Sequence, residues 1–203
     1  MTDQAPPGAS VPAPPPPAPV SRRRRSSSGT RNVVEWIVVV VGAVVVALLV
    51  KTFLVQAFRI PSESMDPTLQ VGDRVLVNKL SYRLHDVNRG DVVVFTRPAN
   101  LPEGPDQPDD LIKRVIGLPG DTVQAKDGKV YVNGRPLDEP YLPDGTTTQN
   151  LENPVKVPEG EVLVLGDNRS NSADGRVFGT ISEDTIIGRA FVIVWPLSRF
   201  GGL

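Results

Sequence analysis

Ser62 and Ser64 stand two residues apart in the stretch Phe58-Arg59-Ile60-Pro61-Ser62-Glu63-Ser64-Met65-Asp66-Pro67-Thr68-Leu69. Pro61 and Pro67 each fix φ and push the residue before them away from helix, so the two hydroxyls ride on a stiff extended or turning backbone. On an extended segment residues i and i+2 share a face. A serine hydroxyl attacks a carbonyl only when a base lies within hydrogen-bond reach, and few bases are on offer. The chain has no cysteine and one histidine, His85, in the polar run Tyr82-Arg83-Leu84-His85-Asp86. That setting reads as a solvated loop with no catalytic spacing. The same inventory removes disulfides, thiolate catalysis and most cysteine- or histidine-based metal sites.

Lysine can act as the base once it is neutral, which requires lowering its pKa by about 2–3 units from the reference value. Burial among apolar groups does this. Lys113 has such neighbours in Leu111-Ile112-Lys113-Arg114-Val115-Ile116. On a strand it shares a face with Leu111 and Val115, while Arg114 falls with Ile112 and Ile116. Both faces are apolar, so parity does not choose between the two cations. Chemistry does, because arginine stays protonated. The competing reading of Lys113 is a charge that protects an edge strand from aggregation. A third stretch, Gly166-Asp167-Asn168-Arg169-Ser170-Asn171-Ser172-Ala173-Asp174-Gly175-Arg176, reads by itself as a turn after a strand ending at Leu165.

Taken together, the three stretches resemble a known family. Ser-x-Ser-Met-x-Pro-Thr is similar to the nucleophile box of bacterial type I signal peptidases. Lys113-Arg114-Val115-Ile116-Gly117-Leu118-Pro119-Gly120-Asp121 resembles that family's lysine box, and residues 166–176 its late Gly-Asp-Asn box. The resemblance covers roughly residues 34 to 203. It implies a mostly-β fold of two antiparallel β subdomains with one N-terminal transmembrane helix, about 121–163 being the inserted smaller subdomain. The activity it implies is a serine endopeptidase that removes N-terminal signal peptides from exported preproteins, with no metal or cofactor. Ser64 then matches the nucleophile and Lys113 the general base. Ser62 matches the hydroxyl that joins the Ser64 N–H in the oxyanion hole, and Ser172 the serine that orients the lysine. Asp167, Asn168, Arg169, Asp174 and Arg176 match residues that support the site. Gly175 departs from the pattern, since the family often has a serine there, and Glu63 stands where some members carry glycine.

The elements that must position these groups follow a simple order. Residues 1–31 hold five arginines against one acid, and the tail is rich in proline. Such a segment buries too little apolar surface to offset its ordering entropy and is expected to be disordered or polyproline II. From Val33 to Leu54 only Glu35, Lys51 and Thr52 interrupt the apolar residues, a length that spans a hydrocarbon core of ~30 Å as a helix. A transmembrane helix is expected over 32–54. Arg22 to Arg25 precede it, which puts the tail in the cytoplasm and the rest outside. Phe53, Leu54, Val55, Phe58 and Ile60 make the connector sticky toward lipid, and the site is expected at the surface of the bacterial plasma membrane.

Short β runs follow at residues 74–78, 91–95, 111–116, 130–132, 161–165 and 186–195. Asp127-Gly128 and Asn133-Gly134 are hairpin signals. Residues 97–110 and 138–158, rich in proline and acids, read as surface loops, the second as decoration rather than core. The net charge is -1 overall. With the basic tail set aside the remainder is acidic, which argues against nucleic acid as its partner. The partners expected are signal-peptide-bearing preproteins and the lipid bilayer. One rival is a self-cleaving Ser-Lys regulator of the repressor type, which predicts a DNA-binding helix-turn-helix and no span. The other is a catalytically silent, membrane-tethered β domain that binds exported proteins.

Overall fold

The computed structural model describes residues 28–101 and 108–203, with side chains for 32–48 and from Leu54 onward. The expected tail lies almost wholly outside the described residues, as do residues 102–107 of the first loop. Residues up to Ala43 and residues 44–203 form two units.

The apolar run forms helix α1, Ser28–Phe53. The helix expected over 32–54 is therefore present, but among the described residues no helix is long and apolar enough to cross a membrane. Its described valines, together with Trp36 and Leu48, are exposed.

The rest of the chain is antiparallel β structure in two sheets. The larger contains β1 (Val55–Arg59), β2 (Arg74–Asn78), β3 (Val92–Thr96), β4 (Asp110–Gly117), β9 (Glu161–Leu165), β10 (Ile181–Ser182), β11 (Ile186–Trp195) and β12 (Gly201–Gly202). Its order is β1-β2-β11-β3-β4-β9-β10, with β12 paired to β11. The smaller sheet, in the order β7-β6-β5-β8, is built from β5 (Thr122–Lys126), β6 (Lys129–Val132), β7 (Arg135–Pro136) and β8 (Val155–Lys156). Two one-turn helices, α2 (Ser81–Leu84) and α3 (Gly175–Phe178), complete the described elements together with two short 3-10 turns.

The apolar runs explain the layering. Val92 and Val94 enter one core with Ile60, Met65, Leu69, Val75 and Val77, while Val93 and Phe95 enter a second with Val115, Val162 and Val164. Strand β9 does the same, since Leu163 and Leu165 point into a third core shared with Val123, Val130 and Val132 of the small sheet. A strand buried on both faces reads as a continuous apolar run rather than an alternation. Each such side chain contributes about 1.5–3 kcal/mol by leaving water. The two hairpin signals close as type I′ turns, with φ of 53° and 75° at Asp127 and Gly128 and 52° and 77° at Asn133 and Gly134; that turn needs positive φ at both positions.

Two expectations are corrected. The connector after α1 is not a lipid-facing strip: residues 55–59 pair with β2, Ile60 is buried and Phe58 packs on the first core. The strand is hidden in the sequence because its apolar residues come soon after an apolar helix that ends at Phe53. Residues 138–158 are not decoration either. Leu151 enters the third core, Val155–Lys156 forms β8, and Thr148 is buried.

Candidate active site

Strand β4 lies inside the large sheet, hydrogen-bonded to β3 on one side and β9 on the other. An edge-protecting role for Lys113 therefore has no basis, because no free edge exists there. Lys113 is 3% exposed. Its Nζ donates to Ser64 Oγ at 2.7 Å and to the Ile112 carbonyl at 2.8 Å. Burial pushes its pKa down to about 8, while Asp174 and Asp167 oppose that shift. The amine and the hydroxyl thus meet across 49 positions of sequence.

The serine stretch is held by its apolar residues. Ile60, Met65 and Leu69 are fully buried in the first core, whereas Pro61, Ser62 and Glu63 between them are exposed. Ile60 N–H donates to Asp73 O, Gly72 N–H to Ile60 O, and Leu69 N–H to Met65 O, each at 2.9 Å. This pins both ends of a loop whose tip carries the hydroxyls. Ser62 Oγ lies 3.3 Å from Ser64 Oγ.

The Gly-Asp-Asn box docks on that loop from behind. Asn168 N–H donates to the Ser64 carbonyl at 3.1 Å, and Asn168 Nδ2 to the Glu63 carbonyl at 3.1 Å. Gly166 is pressed so closely on the Ser64 carbonyl and on Ser172 that a β-carbon there would fall 2.6 Å from Ser172 Cβ. Only glycine fits this approach. Asp167 takes two hydrogen bonds from Arg114, at 2.9 and 2.7 Å, and one from Thr68 Oγ1 at 2.6 Å. Asp174 accepts from Gly166 N–H at 2.9 Å and pairs with Arg176 at 2.8 Å. Burial alone would raise its pKa, but Arg176 and the backbone donors hold the carboxyl below the usual range.

The structure brings Ser62, Ser64, Lys113, Asp167, Asn168, Arg169, Asp174 and Arg176 into one connected set. Ser172 differs from its expected part. Its Oγ is buried beside Gly166 but has no hydrogen-bond partner among the described residues, and the second contact of the amine is the Ile112 carbonyl. His85 is exposed, with Nδ1 against the Asp86 carbonyl. Among the described residues no cluster of His, Cys, Asp and Glu is arranged to hold a metal ion.

Four residues that sequence reasoning assigned no part also belong here. Arg114, passed over because it cannot be a base, clamps Asp167. Its guanidinium lies 3.9 Å over the ring of Tyr141. Glu139 and Thr148 hold Arg169. Nothing in a proline-rich acidic loop marks such residues, although an aromatic side chain such as Tyr141 amid polar neighbours is a hint that part of the loop is buried.

A buried amine touching a hydroxyl, with nearby acids engaged elsewhere, is the arrangement a Ser-Lys hydrolase needs. The family model for signal peptidase, peptidase S26, matches residues 33–195. The chain belongs to that family. The signal peptidase relatives include the probable signal peptidase I-2 of Synechocystis sp., 47% identical over 79% of this chain and 72% of its own length. The signal peptidase I of Leptolyngbya laminosa is 48% identical over 77% of each chain. Signal peptidase IB of Staphylococcus aureus is 39% identical over 84% of this chain and 93% of its own. A solved signal peptidase I from Enterococcus faecalis is 31% identical and covers 52% of this chain and 97% of its own, with a TM-score of 0.41, too partial a superposition to bear on the fold.

Proposed function

We propose that this protein is a signal peptidase I that removes N-terminal signal peptides from exported preproteins, with Ser64 as nucleophile and Lys113 as general base. Neutral Lys113 accepts the Ser64 hydroxyl proton as Oγ attacks the scissile carbonyl. The developing oxyanion is met by Ser62 Oγ and the Ser64 N–H, donors of a kind worth several kcal/mol in the transition state. The Lys113 ammonium then gives its proton to the leaving amine, and the amide bond breaks to an acyl-enzyme on Ser64. Water, deprotonated by the same lysine, attacks the ester and frees Ser64.

The observation that carries the reading is the 2.7 Å contact between Lys113 Nζ and Ser64 Oγ, made by an amine that burial moves toward neutrality. A lysine that kept its reference pKa would be almost wholly protonated near neutral pH and useless as a base.

The reading includes a membrane anchor. Between residues 36 and 48 helix α1 carries no charged or polar side chain and exposes its valines, and such a face finds its burial in another apolar phase. Lipid around residues 32–54, with the arginines cytoplasmic and residues 55–203 extracytoplasmic, satisfies both that face and the charge asymmetry. Enzyme and preprotein then share one bilayer, which raises their effective concentration.

The test is cleavage of a purified preprotein by the detergent-solubilised protein, comparing wild type with Ser64→Ala and Lys113→Ala. Loss of cleavage in both variants is expected. Wild-type rates in both would end the assignment of the dyad, and an inactive wild type would favour a silent binding domain.

A further inference from the structure

Three guanidinium groups crowd the Gly-Asp-Asn box, and each has its own carboxylate: Arg114 with Asp167, Arg176 with Asp174, and Arg169 with Glu139. The first two pairs come from the sequence boxes. The third acid comes from the inserted segment between β7 and β8. The Arg169 side chain is 1% exposed and that of Glu139 12%, so an arginine stripped of this partner would be a buried, uncompensated charge.

The contacts of Arg169 lead straight to the nucleophile loop. Nε donates to the Gly166 carbonyl at 3.0 Å and Nη1 to Thr148 Oγ1 at 2.6 Å. Gly166 in turn rests on the Ser64 carbonyl and on Ser172. Glu139 is itself fixed by Tyr141, whose hydroxyl donates to Oε1 at 2.7 Å and whose ring lies under Arg114. One short segment therefore steadies two of the three arginines at the box, Arg169 through a carboxylate and Arg114 through a ring face.

We propose that Glu139 is a positioning residue for the Ser64/Lys113 site: by neutralising Arg169 it keeps Gly166 seated behind Ser64 and leaves Asp167 to Arg114. This rests on the Ser-Lys reading above. The charge balance gives it a second consequence. The charged groups that act on Lys113 are Asp174 and Asp167, and Asp167 also acts on Arg169. The groups against Glu139 are Arg169 and Tyr141, with Arg114 beyond the ring. Removing the Glu139 charge leaves one extra positive charge beside the acids that favour protonated Lys113. The amine then loses its proton more readily, and the rising limb of the pH–rate profile moves to lower pH.

The experiment measures kcat and KM for preprotein cleavage by the full-length protein in detergent, over a pH range bracketing the Lys113 transition. It compares wild type, Glu139→Gln, Glu139→Asp and Tyr141→Phe, and normalises each to the fraction of sites acylated by an active-site titrant. Glu139→Gln is expected to lower kcat by about tenfold to a hundredfold with KM little changed, the scale on which small misplacements cost rate. Its limb should move acidward, and Glu139→Asp should recover much of the rate. Tyr141→Phe, which deletes the hydrogen bond that fixes Glu139 but keeps its charge, should lower kcat in smaller measure with the limb unmoved, and serves if the glutamine variant does not fold. A normalised kcat and a limb identical to wild type in Glu139→Gln, or, where that variant does not fold, a normalised kcat identical to wild type in Tyr141→Phe, would overturn the proposal. If instead Ser64→Ala or Lys113→Ala cleaves like wild type, the underlying dyad fails and not this coupling alone.

Discussion

Asp167 gives both carboxylate oxygens to Arg114, at 2.9 and 2.7 Å, and neither to Lys113, the residue beside Arg114 in the chain. That division decides the chemistry of the site. An acid bonded to the amine would hold its proton on, whereas an acid committed to a guanidinium raises the pKa of the amine only through space.

Activity should therefore rise with pH as Lys113 loses its proton. Its pKa is lowered to about 8, and in the proposed dyad the neutral form is the base, so kcat/KM should climb through that value and level off above it. A profile that falls with pH over this range, or one flat across it, would contradict a lysine base. His85→Ala should leave the profile unchanged, since His85 is exposed and its ring meets the Tyr82 ring and the Asp86 carbonyl rather than Ser64 or Lys113.

The same depressed pKa makes the site costly to stability. The folded state takes up the proton of Lys113 only below about 8, while the unfolded chain holds it to well above that, so stability rises with pH between the two values. Below both, the buried ammonium costs roughly 3 kcal/mol. Lys113→Met should abolish cleavage and raise the midpoint of urea unfolding at neutral pH. The gain should fade as the pH rises above the folded pKa.

Ser62→Ala tests the proposed oxyanion donor apart from the proposed nucleophile. Loss of one such donor costs about 10²–10³ in kcat with substrate binding little altered. Because Ser62 is exposed, its thermal unfolding midpoint should match wild type.

Gly166→Ala should be among the most damaging single methyl additions in the chain. The new carbon meets Ser172 and the Ser64 carbonyl, backbone that cannot swing away. Overpacking of this kind costs about 1–3 kcal/mol, and any relief moves Ser64 off Lys113. Circular dichroism melting and cleavage assays should report both losses. Gly175→Ser should be damaging for a different reason: its β-carbon would lie 2.6 Å from Leu163 Cδ1 and 2.8 Å from the Val164 carbonyl, so stability falls while the Ser64–Lys113 contact stays intact.

The β runs at 74–78, 161–165 and 186–195 were legible because buried strands are dense in Val, Leu and Ile, and the Asp-Gly and Asn-Gly turns because positive φ restricts residue choice. Strand β5, with sequence TVQAK, has too few apolar residues to stand out. The site was readable where chemistry narrows the choice, as in a lysine with apolar neighbours. Glu139 was not, since its part depends on Arg169 lying close in space across 30 positions of sequence, and no local pattern encodes that. Ser172 was assigned by resemblance alone, and its hydroxyl has no hydrogen-bond partner among the described residues.

Strand β11 sits between β2 and β3 although it is the last long strand in the chain. A ribosome must pass Trp195 before the middle of the large sheet can close. Until then the core under the loop bearing Ser64 lacks Ala190 and Ile193, so on the proposed dyad a copy cut short before that strand should not cut its neighbours.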